Sequence, residues 1–286
     1  MSRIFEALQH GNPELIRTSG PEAEIPQDFS SLVDALGGES ASLEETKVFR
    51  ISESPTDRLV AWIEPNCLAA ENFRVLSARL RHARQRRPLK RVLVTSAVRG
   101  DGKSLVSANL AIALATHGER TLLLEGDLHR PSLSATFSVH GSRGFATWHE
   151  EPLALSSLLY RADGLPLWFL PAGECRQQPL TLIQSAKTSE LLQRLSNTFS
   201  WIVIDSPPLL SLADSGIWAT TCDAVILLAR HGLTPKNALL DSLKSIDVSK
   251  LFALVMNDAE SSVENYYNSY HSPNTGKKKA VGNAGD

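Results

Sequence analysis

The stretch RVLVTSAVRGDGKSLVSANLAIALA, from Arg91 to Ala115, constrains the fold more than any other part of this chain. It opens on apolar Val92, Leu93 and Val94, passes through a turn with two glycines, and enters a long apolar run with Gly-Lys-Ser at its start. A buried strand, a glycine turn and an apolar helix in that order predict a phosphate-binding loop. Such a loop aims consecutive backbone N–H groups inward at a helix N-terminus, where unpaired amides and the helix dipole favour negative charge. Gly100 and Gly102 can take positive φ and let the backbone approach an anion closely. Lys103 then reaches the phosphates, and the Ser104 hydroxyl can sit on Mg2+. Arg99, Asp101 and Leu105 complete the loop, and Ala97 stands where the strict pattern has its first glycine.

Two further segments end apolar runs with acids. RTLLLEGDLHRPSL, Arg120 to Leu133, places Glu125 and Asp127 two residues apart. Alternation along an extended chain points both the same way. Residues just past the C-terminal end of a parallel strand face the ligand crevice, so both acids are expected to look at the phosphates. WIVIDSPPLL, Trp201 to Leu210, ends in Asp205, after which Pro207 and Pro208 force the chain out of the sheet. Asp205 reads as the carboxylate on the Mg2+ side. Each acid could instead cap the helix that follows its strand. Strands near 91–96, 120–125, 201–205, 223–229 and 251–256 alternate with helices. That alternation predicts an α/β, three-layer fold with a mostly parallel sheet covered by helices on both faces.

A chain of 286 residues has room for one large domain with flanking tails. The net charge of −2 makes no general case for nucleic acid. Cys67, Cys175 and Cys222 are scattered without metal or disulfide spacing, as fits a reducing cytosol. No apolar run approaches the roughly 20 residues that span a bilayer, so a cytoplasmic chain is expected, with any membrane anchor supplied by a partner. The expected organisation is an N-terminal helix and flexible linker over 1–65, a nucleotide domain over 66–258, and a disordered tail over 259–286. A helix is expected from about Asn66 to Ala83, with Ala69, Phe73, Leu76 and Leu80 on one face. The basic run from Arg79 to Arg91 reads equally as a solvated helix end or as a contact for anionic lipid or a partner. His129 is expected at the surface near the nucleotide. Of four tyrosines in the chain, Tyr266, Tyr267 and Tyr270 cluster in the tail.

In order along the chain stand MSRIFEALQ, AAENFRVLSARL, SAVRGDGKS, LLLEGDLHRP, LPAGECRQQPLTLI, VIDSPP and LFALVMN. This series resembles the bacterial tyrosine kinases, or BY-kinases, of capsule and exopolysaccharide systems, over about residues 66 to 258. The resemblance implies a P-loop kinase that uses ATP and Mg2+, with Lys103, Glu125, Asp127 and Asp205 as catalytic groups and Ser104, Asp127 and Asp205 toward the metal. It implies Asn257 on the adenine side, and Tyr266, Tyr267 and Tyr270 as phosphoacceptors in the protein's own tail. It also implies a membrane-anchored polysaccharide co-polymerase as activator, and a homo-oligomer. Several positions depart from the family pattern. Glu125 stands for an aspartate, and its extra methylene moves the charge by something over 1 Å. Arg99 stands for the usual proline and Leu105 for a hydroxyl residue. Glu71 and Arg74 match a ring-contact motif on the first helix, but Ser77 replaces its second arginine. A partitioning-type ATPase switch and a weakly catalytic regulatory module are the other readings of the same loop.

Overall fold

The computed structural model describes residues 46–259 other than 140, 142 and 152. The expected N-terminal helix, the linker to residue 45, and Tyr266, Tyr267 and Tyr270 lie outside the described residues. The strands are β1 (Lys47–Phe49), β2 (Arg91–Ser96), β3 (Thr121–Glu125), β4 (Tyr160–Ala162), β5 (Leu167–Leu170), β6 (Trp201–Asp205), β7 (Ala224–Arg230) and β8 (Leu251–Asn257). They form one sheet in the order β1-β4-β5-β3-β6-β2-β7-β8, parallel throughout except for the β4–β5 pair. The helices are α1 (Val60–Ile63), α2 (Leu68–Arg84), α3 (Lys103–Ala115), α4 (Leu133–Thr136), α5 (Phe145–Glu150), α6 (Pro179–Gln184), α7 (Ala186–Thr198), α8 (Ala213–Thr221) and α9 (Lys236–Ser245).

The central strands are buried at almost every position, the pattern of parallel strands covered on both faces. Their alternate residues feed two cores. Leu93, Leu122, Leu124, Ile202 and Ile204 pack with Phe145, Leu191 and Trp218 on one face. Val92, Val94, Leu123 and Val203 pack with Leu80, Leu110 and Phe49 on the other. Each fully buried large aliphatic contributes roughly 1.5–3 kcal/mol. Helix α3 is buried at 11 of its 13 positions, which makes it the central helix of its layer. That burial fixes the direction in which the loop before it presents its amides.

The expected strands and central helices are present within a residue or so at their ends. Three strands are additional. β4 and β5 are short and lie in a segment whose apolar residues are broken by glycine and proline, so they carry little periodic signal. β1 and α1 fall before residue 66, in what the sequence reading assigned to linker. Phe49 is anchored there by tertiary contact, its ring 5.1 Å from that of Phe137, and Leu59 is fully buried. In α2 the buried stripe is Ala70, Ser77 and Leu80, one residue round from the expected Ala69.

The basic run is largely paired. Arg81 and Arg84 lie 3.6 and 3.7 Å from Glu119, Arg84 also stacks over the Trp201 ring at 5.0 Å, and Arg91 binds Asp223 at 3.1 Å. Lys90 and Arg87 donate to the carbonyls of Ser196 and Ser249. Among the described residues no helix is long and apolar enough to cross a membrane.

Candidate functional site

The loop between β2 and α3 takes the conformation that its glycines permit. Gly100 and Gly102 have φ of +91° and +92°, and Gly102 caps α3 in the left-handed region. Lys103, the first residue of α3, is buried to 8 % exposure, and with Ser104 it lines a cleft of about 580 Å3. Asp127, His129, Arg130 and Pro207 form the facing wall, and Arg99, Gly100, Gly102 and Leu105 line the same cleft. The apolar helix, the positive-φ glycines and the buried lysine together make an anion cradle with one cation at its floor.

Asp205 ends β6 and is almost completely buried. Its Oδ2 accepts from the Ser104 hydroxyl at 2.6 Å and its Oδ1 from Ser107 at 3.1 Å. Burial pushes its pKa up to about 7, against the opposing effect of the Ser104 bond and of Lys103. Burial also raises the Asp127 carboxyl above its usual range, against Lys103, while Asp127 Oδ1 accepts from the Arg130 amide at 3.0 Å. A carboxylate held by hydroxyls, beside a second carboxylate and a serine, is an all-oxygen donor set of the kind Mg2+ takes. Ser104 and Asp127 therefore stand near Asp205, the first through its hydrogen bond and the second through its charge. No group of three His, Cys, Asp or Glu residues placed to hold a metal occurs among the described residues.

Glu125 departs from its expected placement. It is fully buried and does not line the cleft. Oε1 accepts from the amides of Leu133 and Ser134 at 2.6 and 3.2 Å, and Oε2 accepts from Ser134 Oγ at 2.7 Å and from the Ala172 amide at 3.1 Å. The two acids do not face the same way because β3 ends at Glu125, so the alternation that governs a strand no longer applies at Asp127. Glu125 reaches beneath the loop to α4 and the end of β5. Gly126, between them, donates its amide to the Asp205 carbonyl at 2.7 Å and accepts from the Trp218 indole at 3.2 Å.

The remaining predicted residues lie on the other side of the loop. Asp101 is 1 % exposed and turned away from the cleft, its Oδ1 accepting from Thr234 Oγ1 at 2.7 Å. Asn257, at the end of β8, donates from Nδ2 to the Asp101 carbonyl at 2.9 Å. It borders a second cavity of about 250 Å3, which shares Gly100, Gly102 and Leu105 with the cleft and is closed by Phe73, Arg58 and Asp258. On α2, Arg74 pairs with Glu71 and also reaches the Pro65 carbonyl. Ser77 is fully buried, its hydroxyl donating to the Arg74 carbonyl at 2.8 Å. An arginine there would have to displace core, so the substitution follows from the packing of α2.

Sequence reasoning missed several partners. His129 is exposed beside the cleft, as expected, and its unforeseen partner is Asp214, bonded through Nε2 at 2.8 Å and itself buried. Asp214 stands in the first turn of α8 with no strand or motif to mark it. Thr234 and Arg230, which touch the loop from the end of β7, fit no spacing rule either. Only the acid-containing motif around His129 offered a signal.

A strand, an anion cradle capping a buried helix, and an acid at the end of the neighbouring strand define the P-loop NTPase fold. A ParA family model, described as NUBPL iron-transfer P-loop NTPase, matches residues 89–215. The kinase domain of VpsO superposes with a TM-score of 0.62 at 31% sequence identity, covering 68% of this chain and 97% of that one. The tyrosine-protein kinase CpsD of Streptococcus pneumoniae serotype 4 is 31% identical over 62% of this chain and 80% of its own length. The tyrosine-protein kinase YwqD of Bacillus subtilis is 27% identical over 74% of this chain and 90% of its own length. The chain belongs to the bacterial tyrosine-kinase family, the BY-kinases.

Proposed function

We propose that this protein is an ATP-dependent protein-tyrosine autokinase that regulates capsule or exopolysaccharide polymerisation and export. The observation that carries the proposal is the convergence of Lys103, Ser104 and Asp127 on one cleft, with Asp205 hydrogen-bonded to Ser104 behind it, in a chain whose relatives are named tyrosine kinases. Mg-ATP would be held by the amides of Arg99 to Ser104, by Lys103, and by the oxygens of Ser104, Asp127 and Asp205. The metal supplies charge neutralisation at the transferring phosphoryl group. Lys103 would hold the phosphates and offset their charge from the floor of the cleft. Asp127, not Glu125, would orient the acceptor hydroxyl, because it is the carboxylate that opens into the cleft. Asn257 would meet the nucleoside from the second cavity.

The acceptors would be Tyr266, Tyr267 and Tyr270 of the protein's own tail, reached in a neighbouring copy. A membrane-anchored co-polymerase would recruit and activate the kinase at the inner face of the membrane. The test is incubation with Mg-ATP, with and without the cytoplasmic segment of such a partner, followed by mapping of phosphotyrosine and measurement of free phosphate. Phosphotyrosine in the tail, lost when all three tyrosines become Phe and lost with Lys103→Met, is the expected result. Phosphate release without phosphotyrosine would replace the kinase reading with an ATPase switch.

A further inference from the structure

An anion cradle has a back as well as a front. When successive amides converge on a phosphate, the carbonyls of the same peptides must diverge from it, and each diverging carbonyl needs a donor of its own. In this loop the outward carbonyls are those of Gly100 and Asp101, and both find donors on the ends of two strands. Arg230, the last residue of β7, donates from Nη1 to the Gly100 carbonyl at 3.3 Å. Asn257 donates to the Asp101 carbonyl, and Gly102 has no room for a side chain beside it, since a Cβ there would lie 2.3 Å from Asn257 Nδ2.

The side chain of Asp101 completes the arrangement. Thr234 donates its hydroxyl to Asp101 Oδ1 and accepts the Arg230 amide at 2.6 Å, so one hydroxyl ties the loop to the turn after β7. Asp101 Oδ2 turns back on the Val98 amide at 3.3 Å. Arg230 is in turn held by Asp258, whose Oδ2 accepts from Nε at 2.9 Å and Nη2 at 2.6 Å. Asp258 takes a φ of +57°, a conformation that costs a non-glycine residue energy and persists only where its surroundings impose it.

We infer that Arg230 and Thr234, with Asn257, are positioning residues that hold the phosphate loop open in its binding shape from behind. They act on the loop and not on the nucleotide. The inference rests on the reading of the cleft as a phosphate site and adds to it the parts that preorganise that site. It also gives Asn257 a role independent of the base.

The test compares Mg-ATP with Mg-tripolyphosphate, which carries the phosphates and no nucleoside, by calorimetry on the full chain. Arg230→Met removes the donor to the Gly100 carbonyl together with the Asp258 pair, and Thr234→Val removes the hydroxyl that joins Asp101 to the Arg230 amide, both while keeping side-chain bulk. Each is expected to weaken both probes by about tenfold, the scale of one lost hydrogen bond with a charged partner. Thr234→Ser should restore binding, whereas in Arg230→Met and Thr234→Val the KM for ATP should rise with kcat little changed. Asp258→Ala should cost less, about threefold, because Arg230 keeps its bond to Gly100. Equal affinity of Arg230→Met, Thr234→Val and the unmodified protein for both probes overturns the brace and leaves the phosphate site standing. Loss confined to Mg-ATP overturns it too, since that would place Arg230 and Thr234 on the nucleoside. Failure of the unmodified protein to bind either probe removes the cleft reading, and the brace with it.

Discussion

Glu125 and Asp205 stand opposite one another in register at the ends of β3 and β6. Both are buried carboxylates one strand apart, and both follow an apolar run of the same kind. Their partners differ. Three backbone amides and a hydroxyl close on Glu125, whereas Asp205 meets two hydroxyls, no amide, and the field of Lys103. Amides that have nowhere else to go bind a carboxylate permanently, and hydroxyls can rotate away from it. The register places an acid at the crevice, but the donors that surround it decide whether it is a structural anchor or a group free to take a metal ion. The extra methylene of Glu125 is what lets it reach past the cleft to Ala172.

The largest expected effect separates the two on stability. Glu125→Ala strands buried donors of Leu133, Ser134 and Ala172, and the unfolding free energy should fall by about 3 kcal/mol or more in denaturant titration. Glu125→Asp should also lose stability, because shortening withdraws the carboxylate from α4 or from β5. Unchanged unfolding curves for both variants would break the contrast. Asp205→Asn should behave in the opposite sense above neutral pH, gaining about 1–2 kcal/mol as a buried charge is removed, while Mg2+-dependent nucleotide affinity drops at least tenfold. A stability loss as large as that of Glu125→Ala would show that Asp205 is an anchor as well.

A smaller effect concerns pH. The Asp205 carboxyl has an ordinary value of 3.8 and is pushed up to about 7 in the fold. Between those values the folded state holds the extra proton, so this group's contribution is full below about pH 4 and is lost as pH rises through about 7. Unfolding free energies of the unmodified protein and Asp205→Asn should therefore diverge across that window and run parallel above it. Parallel curves throughout would remove the shift. Smallest of the four, Ser107→Ala should cost about 0.5–1 kcal/mol and move the Asp205 titration higher, because the Ser107 bond favours the ionised form. Infrared titration of the carboxyl reads that displacement directly.

Most of the frame was legible in the residues. Fully apolar strands and a helix apolar all round leave few alternatives to a covered parallel sheet, and two glycines before a lysine fix the loop. What escaped was decided by tertiary contact. β1 has three residues and no periodicity, and only the ring of Phe137 explains where Phe49 goes. Glu125 looked like a companion of Asp127 because strand alternation was extended two residues past the end of β3. Asp214, Arg230 and Thr234 touch the site from positions 85 to 133 residues away in sequence, a distance over which no local pattern carries information.

Trp218 turns the Glu125–Asp127 motif into something that can be watched. Its indole N–H rests on the Gly126 carbonyl and its ring lies against the same residue, with no exposure to solvent. Any rearrangement of the acid-bearing turn alters the polarity felt by that indole, so in a variant that keeps Trp218 alone of the five tryptophans its emission wavelength becomes an optical record of the turn's position. Trp201, by contrast, is held at the opposite end of β6 by Glu119 and Arg84, so a variant that keeps it alone is the control.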